Sequence, residues 1–305
     1  MSRVLISGAS GLVGSALVPF LESHGHQATR LVRHKPRNES ELQWNPTRTI
    51  PTQLVSGFDV VIHLSGENIA GRWTEQKKCR IRESRVFSTE FLAQALAKAD
   101  FPPGTFICAS ATGYYGNRGD EILTEDSLSG EGFLPEVCRE WEAAAQPASD
   151  GGIRVVNLRT GIVLSRDGGA LKQMLLPFKL GLGGRIGDGR QWWSWIHVDD
   201  LVSAVHHILS DSRDRAGPAS SVVLTGPVNM TAPNPVTNEE FTRVLARKLK
   251  RPALLPAPAF ALRLMFGELA DEGLLASTRV LPKKLTESGF ESKYPELADA
   301  LNDLL

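Results

Sequence analysis

GASGLVG at residues 8–14 lies between a short apolar run at residues 4–6 and apolar residues at helical spacing over 12–24. This order predicts a strand, a tight turn and a helix. A pyrophosphate needs backbone N–H donors that residues without side chains can bring close, and a helix N-terminus adds a favourable dipole. Glycines at this spacing also occur in helix-capping turns, but the strand and helix around them favour a dinucleotide loop. The expected contacts are Gly8, Ser10, Gly11, Leu12, Val13 and Gly14.

Strand-like and helix-like segments alternate through the first half of the chain. Residues 27–32 and the runs at 58–64, 105–109 and 154–158 predict strands, and residues 81–99 form a long amphipathic pattern. This alternation predicts an α/β fold with a doubly wound, parallel, Rossmann-like sheet. Beyond residue 164, glycines and prolines separate shorter elements. We therefore predict a dinucleotide-binding core at 1–164, to which residues 191–230 return, and a smaller C-terminal substrate lobe over most of 165–305.

The composition restricts the class of protein. Lys plus Arg and Asp plus Glu both number 34, so the net charge of zero provides no overall field for nucleic acid or an anionic membrane. No apolar run approaches about 18 residues, so no membrane span is expected. The three cysteines show neither disulfide nor metal-site spacing, which favours reduced thiols in the cytoplasm, although a cleaved organellar presequence stays possible. No metal site is predicted.

The end of the second predicted strand indicates which dinucleotide binds. An acidic residue there bonds the ribose 2′-hydroxyl of NAD, whereas a basic residue accommodates the 2′-phosphate of NADP. The chain has Arg33, His34 and Lys35 at this point, and no acidic residue between Glu22 and Glu39. We therefore predict NADP, bound by Arg33 and His34. The alternative is that these are solvated surface charges.

Several motifs together resemble the extended short-chain dehydrogenase/reductases, which include the nucleotide-sugar epimerases and dehydratases. They are GASGLVG at 8–14, DVVIHL at 59–64, SATGYYG at 110–116, RTG at 159–161 and WIHVDD at 195–200. The segments LPAP at 255–258, LPKKL at 281–285 and SGF at 288–290 look like an atypical epimerase-like branch that has a C-terminal domain of unknown function. The resemblance implies the fold and the cofactor, but no substrate.

The chain departs from the catalytic pattern of that family. The family uses a tyrosine as acid/base, a lysine four residues later to lower the tyrosine pKa, and a Ser or Thr to orient the substrate hydroxyl. Alignment on Glu142 places Leu134 at the tyrosine position and Cys138 at the lysine position, and Ala111 falls at the serine. Leu134 cannot act as the catalytic acid or base, and Cys138 cannot replace the lysine that lowers the pKa of the tyrosine. Cys138 is interpreted as a core residue.

Replacement groups are expected at the carboxyl ends of the strands, where such sheets bind ligands. The candidate catalytic residues are Thr112, Tyr114 and Glu67. A desolvated Glu67 could have a raised pKa, or it could bind ribose or cap a turn. His63 and His197 are interpreted as core residues. The remaining predicted cofactor contacts are Leu64, Ser65, Gly66, Glu67, Arg85 and Ser110; Arg85 could instead be a charge on a helix surface.

A small-molecule substrate is expected to bind in the cleft between the core and the smaller lobe, and the sequence does not identify it. Trp193 occupies the position of an arginine that grips the diphosphate in sugar-nucleotide epimerases. Trp193, Arg185 and Arg190 are the predicted substrate contacts, although the tryptophans nearby could simply pack the lobes together. A homodimer through the long helices is possible. These features favour an NADP-dependent oxidoreductase or epimerase of atypical mechanism, with a non-catalytic NADP-binding regulator as the alternative.

Overall fold

The computed structural model describes residues 1–210 and 223–305. Its strands are β1 (Arg3–Ser7), β2 (Gln27–Val32), β3 (Glu41–Gln43), β4 (Val60–His63), β5 (Thr105–Ala111), β6 (Ile122–Leu123), β7 (Arg154–Thr160), β8 (Ile162–Leu164), β9 (Trp192–Trp193), β10 (Trp195–His197), β11 (Gly226–Met230), β12 (Val236–Thr237) and β13 (Arg279–Val280).

The α-helices in the same residues are α1 (Leu12–Ser23), α2 (Thr52–Val55), α3 (Glu75–Ala97), α4 (Phe133–Ala143), α5 (Gln146–Asp150), α6 (Gly169–Lys179), α7 (Val198–Ser210), α8 (Asn238–Leu249), α9 (Ala259–Phe266), α10 (Lys283–Glu287) and α11 (Leu297–Leu304). A 3₁₀ turn spans Thr112–Tyr115, and a π-helical turn spans Ala270–Leu274.

Seven strands form one sheet in the order β11-β7-β5-β4-β1-β2-β3, and every neighbouring pair is parallel. The predicted Rossmann-like fold is confirmed. The chain order reverses between β1 and β4, and in sheets of this kind the ligand crevice lies at such a reversal, beyond the carboxyl ends of the strands. The loops that follow β1, β4, β5 and β7 therefore define the site.

Helices cover both faces of the sheet because its central strands are apolar on both sides. On one face, α1 and α7 pack against the strands through residues that include Leu17, Leu21 and Val205. On the other face, α3, α4 and α5 contribute Leu92, Trp141 and a run of alanines. The loops at the strand ends are thus held on a rigid scaffold.

A separate apolar cluster fills the C-terminal lobe, where α6, α8 and α11 pack around β9 and β10. The segment predicted to return to the core, 191–230, is described only at 191–210 and 223–230. Within it, α7 packs on the main sheet and β11 forms the edge strand of that sheet. Residues 211–222 lie outside the described residues. In the part of the chain that is described, no helix has both the length and the apolar character needed to cross a membrane.

Candidate cofactor and active site

The glycine loop has no room for side chains at two of its positions. Gly8 has φ +74°, and a Cβ there would lie 2.7 Å from the Leu64 carbonyl carbon; a Cβ on Gly14 would lie 2.3 Å from the Gly8 oxygen. The N–H of Gly11 donates to the Gly8 carbonyl (3.0 Å), and no side chain caps the start of α1. The first backbone N–H groups of α1 therefore lack a side-chain acceptor, as a pyrophosphate site requires.

Arg33 leaves the sheet beside this loop. Ser7 of β1 pairs with Leu31 of β2, so Gly8 and Arg33 both emerge at the carboxyl edge of the sheet. The Arg33 side chain is exposed and forms no ion pair with any described residue. On the neighbouring strand, the Glu41 carboxylate accepts the backbone N–H of Arg37 (2.9 Å). The Arg33 guanidinium is available for an anion at this edge.

His34 is exposed beside Arg33, and its Nδ1 lies 2.9 Å from the Lys35 carbonyl oxygen. Leu12 and Val13 are half-buried at the start of α1, where Leu12 packs against Gly168 and Gly169, and Ser10 is exposed in the loop.

The loop after β4 corrects one expectation. Lys77 donates to the Glu67 carboxylate (2.7 Å), and this hydrogen bond and charge lower the Glu67 pKa more than desolvation raises it. The suggestion of a raised Glu67 pKa is therefore wrong. Glu67 is a half-buried, ion-paired carboxylate, and Leu64, Ser65 and Gly66 precede it at the strand end.

Arg85 is directed into the same loop. Its guanidinium donates to the carbonyls of Glu67 and Ile81 (both 3.1 Å) and lies over the ring of Trp141. A Cβ on Gly66 would lie 3.3 Å from the Arg85 Cζ. Arg85 thus packs under the β4 loop, and the alternative of a surface charge is wrong. Its contacts shape the backbone that lines the crevice.

His63 lies directly behind the glycine loop and is fully buried. Its Nδ1 is 2.6 Å from the Ser7 hydroxyl and its Nε2 is 3.1 Å from the Ser88 hydroxyl. The interpretation of His63 as a satisfied core residue is confirmed. Burial lowers its pKa from 6.5 to about 3, so the ring is neutral in the folded protein.

This lowered pKa predicts an acid-sensitive fold. Between pH 6.5 and about 3 the unfolded chain binds a proton at His63 that the folded chain does not, so the free energy of unfolding falls as the pH falls through this window. The contribution is at most about 1.4 kcal/mol per pH unit. We expect His63→Gln to give a shallower fall, measured by urea unfolding from about pH 7.5 to about pH 5. Identical slopes for both proteins would contradict this.

A buried ion pair supports the turn after β5. Arg159 donates to both oxygens of Glu142 (2.8 and 2.9 Å), and their side chains are only 4% and 13% exposed. Ser110 donates to the same carboxylate (2.7 Å). The Arg159 guanidinium also lies 3.4 Å from the centre of the Tyr114 ring. Ser110 is therefore held in this network, and the ring of Tyr114 is held by a cation–π contact.

The turn that carries Thr112 and Tyr114 faces an apolar wall. A Cβ on Gly113 would lie 3.4 Å from the Leu134 Cβ and 3.9 Å from the Cys138 Sγ. Burial raises the Cys138 pKa to about 12, so its thiol stays protonated. The two residues aligned with the family's tyrosine and lysine do face the strand-end turn, but they offer it no group that titrates near neutrality.

Trp193 does not fit its expected role in substrate binding. It is 4% exposed and packs edge-on against Phe241 in the apolar cluster formed by α6, α8 and α11, so little of its ring is accessible to a ligand. Arg185 is exposed and lies 3.5 Å from Glu239, and Arg190 is exposed. The two arginines remain accessible, whereas Trp193 serves packing.

One group of possible metal ligands occurs among the described residues: His197, Asp199 and Asp303. Asp199 lies 3.9 Å from Nδ1 of His197 and Asp303 lies 3.4 Å from Nε2. One ion cannot contact both ring nitrogens of the same imidazole, so this geometry is not a chelate. His197 is only 1% exposed and packs against the ring of Tyr294. This confirms the interpretation of His197 as a core residue.

The comparisons with known proteins agree with this architecture. Residues 4–223 match the NAD dependent epimerase/dehydratase family. The chain belongs to this family. Residues 257–304 match a further domain of unknown function, DUF1731. The epimerase/dehydratase resemblance and its unusual C-terminal branch are therefore confirmed.

Relatives within the epimerase/dehydratase family match almost end to end. The epimerase family protein Mb2239 of Mycobacterium bovis is 43% identical, and the match covers 98% of this chain and 96% of the length of that protein. YfhF of Bacillus subtilis is 38% identical, with 99% and 98% covered. The human epimerase family protein SDR39U1, crystallised with NADPH, superposes with a TM-score of 0.87 at 34% identity, covering 99% of this chain and 98% of its own. The names of these relatives give no substrate.

Proposed function

We propose that this protein is an NADP(H)-binding oxidoreductase that acts on a small molecule without the tyrosine–lysine pair of its family. The observation that carries the choice of cofactor is the exposed Arg33 beside Gly8, with no described acidic partner. A free guanidinium at this position suits a 2′-phosphate. The NADPH in the crystal structure of the human relative supports the same choice.

The residues present fit a dinucleotide. A Cβ at Gly8 or Gly14 would collide with backbone, and the start of α1 lacks a side-chain cap, so the loop forms a cradle of free N–H donors. These donors would hold the pyrophosphate, and Arg33 with His34 would hold the 2′-phosphate. Bound NADP(H) supplies or accepts the hydride.

Replacing Arg33 with Ala tests this assignment. Loss of its charge-assisted hydrogen bonds is expected to weaken NADPH binding by about 10- to 100-fold. NADH, which has no 2′-phosphate, serves as the internal reference and should bind almost unchanged. The matched control is Arg48→Ala, an exposed arginine beyond β3. Unchanged selectivity in Arg33→Ala, measured by equilibrium titration, would refute the role of Arg33.

The chain's own groups must handle the proton that accompanies hydride transfer. Thr112 and Tyr114 carry hydroxyls in the turn after β5, and Arg159 holds the ring of Tyr114 in place. We assign the proton at the substrate oxygen to the Tyr114 phenol, with Thr112 orienting that oxygen. Lys77 of α3 donates to the carboxylate of Glu67 in the loop after β4, the strand beside β5. This hydrogen-bonded charge pair is suited to binding polar groups of the cofactor or substrate.

Isotope transfer tests the oxidoreductase assignment. The protein is saturated with NADPH deuterated at the nicotinamide C4 and offered aldehydes, ketones and nucleotide sugars. We expect deuterium in one product together with loss of nicotinamide absorbance. No transfer to any member of a broad panel would overturn the assignment, while leaving the binding of NADP(H) intact.

One observation favours a second function, a non-catalytic NADP(H)-binding regulator. Leu134 and the protonated thiol of Cys138 occupy the wall where the family has its acid and base. A redox sensor of this kind binds NADP and NADPH with different affinities and passes the difference to a partner protein. Equal affinities for the two forms, with no partner recovered, would count against it. The free thiols of Cys79, Cys108 and Cys138 support the cytoplasm as the compartment for either function.

A further inference from the structure

A carboxylate from the C-terminal lobe caps the helix that faces the hydroxyl-bearing turn after β5. Glu272 lies in the π-helical turn Ala270–Leu274, and its two oxygens accept the backbone N–H groups of Phe133 (2.8 Å) and Leu134 (2.6 Å). These are the first two residues of α4, and the glycine before them offers no side chain as a cap. The lobe thus supplies the acceptor, and the negative charge, that the start of this helix favours.

The backbone on both sides of this contact is shaped for it. Gly132 has φ +114°, and a Cβ there would lie 2.9 Å from Oε1 of Glu272, so a residue without a side chain is required. On the side of the lobe, Leu269 is buried in one apolar cluster with Trp73 and Phe133. This cluster fixes the segment that carries Glu272 against the core.

The start of α4 is in turn fitted against the turn Thr112–Tyr115. The backbone N–H of Gly130 donates to the Tyr114 carbonyl (3.0 Å). A Cβ on Gly113 would lie 3.4 Å from the Cβ of Leu134, which is ordinary van der Waals contact. The capped segment therefore touches the turn through one hydrogen bond and one close apolar contact, and it links the turn to the carboxylate of the lobe.

We propose that Glu272 is a positioning residue for the reaction: by fixing the start of α4, it holds the turn with Thr112 and Tyr114 in the geometry that proton transfer needs. This inference rests on the role proposed above for Tyr114. A misplacement of a reacting group by about 1 Å can lower a rate by about 100-fold. The proposal also gives a task to the region that matches the domain of unknown function, because residues 257–304 contain Glu272.

Hydrogen exchange followed by mass spectrometry tests this link without requiring any activity. In Glu272→Ala, the amides of Gly116 and Gly130 are expected to exchange about fivefold faster or more, because both donate to carbonyls of the turn. They are followed in peptides that end before residue 133, so that the loss of the cap itself is not counted. Glu272→Gln keeps one acceptor oxygen and should give a smaller increase.

The matched control is Glu268→Gln. Glu268 also joins the lobe to the core, but it does so through an ion pair with Lys78 of α3 (2.9 Å). This variant should leave the exchange at Gly116 and Gly130 unchanged. Equal acceleration in Glu268→Gln and Glu272→Ala would overturn the proposal, because it would indicate a general loosening of the lobe. Wild-type exchange at both amides in Glu272→Ala would overturn it as well.

The isotope-transfer assay provides the second readout. Glu272→Ala should lower kcat by about tenfold or more, with unchanged affinity for NADPH because the glycine loop is untouched. Unchanged kcat despite faster exchange would contradict the role in the reaction. If the wild type transfers no deuterium, the oxidoreductase assignment itself is overturned, and the exchange rates alone decide whether Glu272 holds the turn. If Glu272→Ala does not fold, Glu272→Gln carries both measurements.

Discussion

Gly8→Ala is expected to weaken NADP(H) binding by about 100-fold or more, because the added Cβ would lie within 3 Å of the Leu64 carbonyl and Ser65 nitrogen. Relief of that contact must move either the glycine loop or the loop after β4, and both line the cofactor crevice. The left-handed φ of +74° adds strain of about 1 kcal/mol or more for alanine. Equilibrium titration with NADPH measures the loss.

Gly289→Ala is the matched control, because Gly289 has a similar φ of +83° but no atom within 4 Å of its Cβ position. It should show the backbone strain alone, with unchanged NADPH affinity. Gly11→Ala is a milder variant in case Gly8→Ala does not fold: its Cβ would lie 3.3 Å from the Gly8 oxygen, without a positive φ. Wild-type affinity in Gly8→Ala would show that the cofactor does not use this loop.

Arg159→Met is expected to lower the free energy of unfolding by about 3–5 kcal/mol, since it leaves the Glu142 carboxylate buried without its cation. Arg159 makes two hydrogen bonds to Glu142, which also accepts from Ser110. The same substitution removes the guanidinium that lies over the Tyr114 ring. Urea unfolding gives the free energy, and the activity found by isotope transfer should fall as Tyr114 loses its support.

The double variant Arg159→Met/Glu142→Leu separates the ion pair from simple packing. With both charges removed, its stability should lie above that of Arg159→Met. Lys283→Met provides a surface comparison, because the Lys283–Asp126 pair is exposed to solvent and should contribute little to the free energy of unfolding. A double variant less stable than Arg159→Met would show that the buried charge is not what destabilises the single variant.

Local patterns were sufficient to predict the first part of the fold. The strand at 27–32 and the helix from residue 12 begin where expected, because glycine and apolar periodicity mark them directly. The long helix was expected from residue 81 but begins at Glu75. Residues 75–80 are polar and show no apolar stripe, yet the Thr74 side chain accepts the Lys77 N–H (3.2 Å) and caps the helix there.

Other features of the site depend on contacts distant in sequence. Lys77 and Arg159 were not among the predicted site residues, because the ion pairs they form with Glu67 and Glu142 depend on how loops and strands pack. From the sequence, Glu142 provided only the alignment with the catalytic motif of the family. Its fixed spacing from the aligned positions, Leu134 and Cys138, was the signal that could have indicated a role for Glu142 in the site. The burial of Trp193 follows from its packing against Phe241 of α8, which is distant in sequence and which a local pattern could not show.

The central claim is that this glycine loop and Arg33 select NADP(H), and parallel titration of the wild-type protein with NADPH and NADH tests it most directly. The account predicts that NADPH binds at least about tenfold more tightly, since only its 2′-phosphate engages the Arg33 guanidinium. Equal affinities, or tighter binding of NADH, would contradict it.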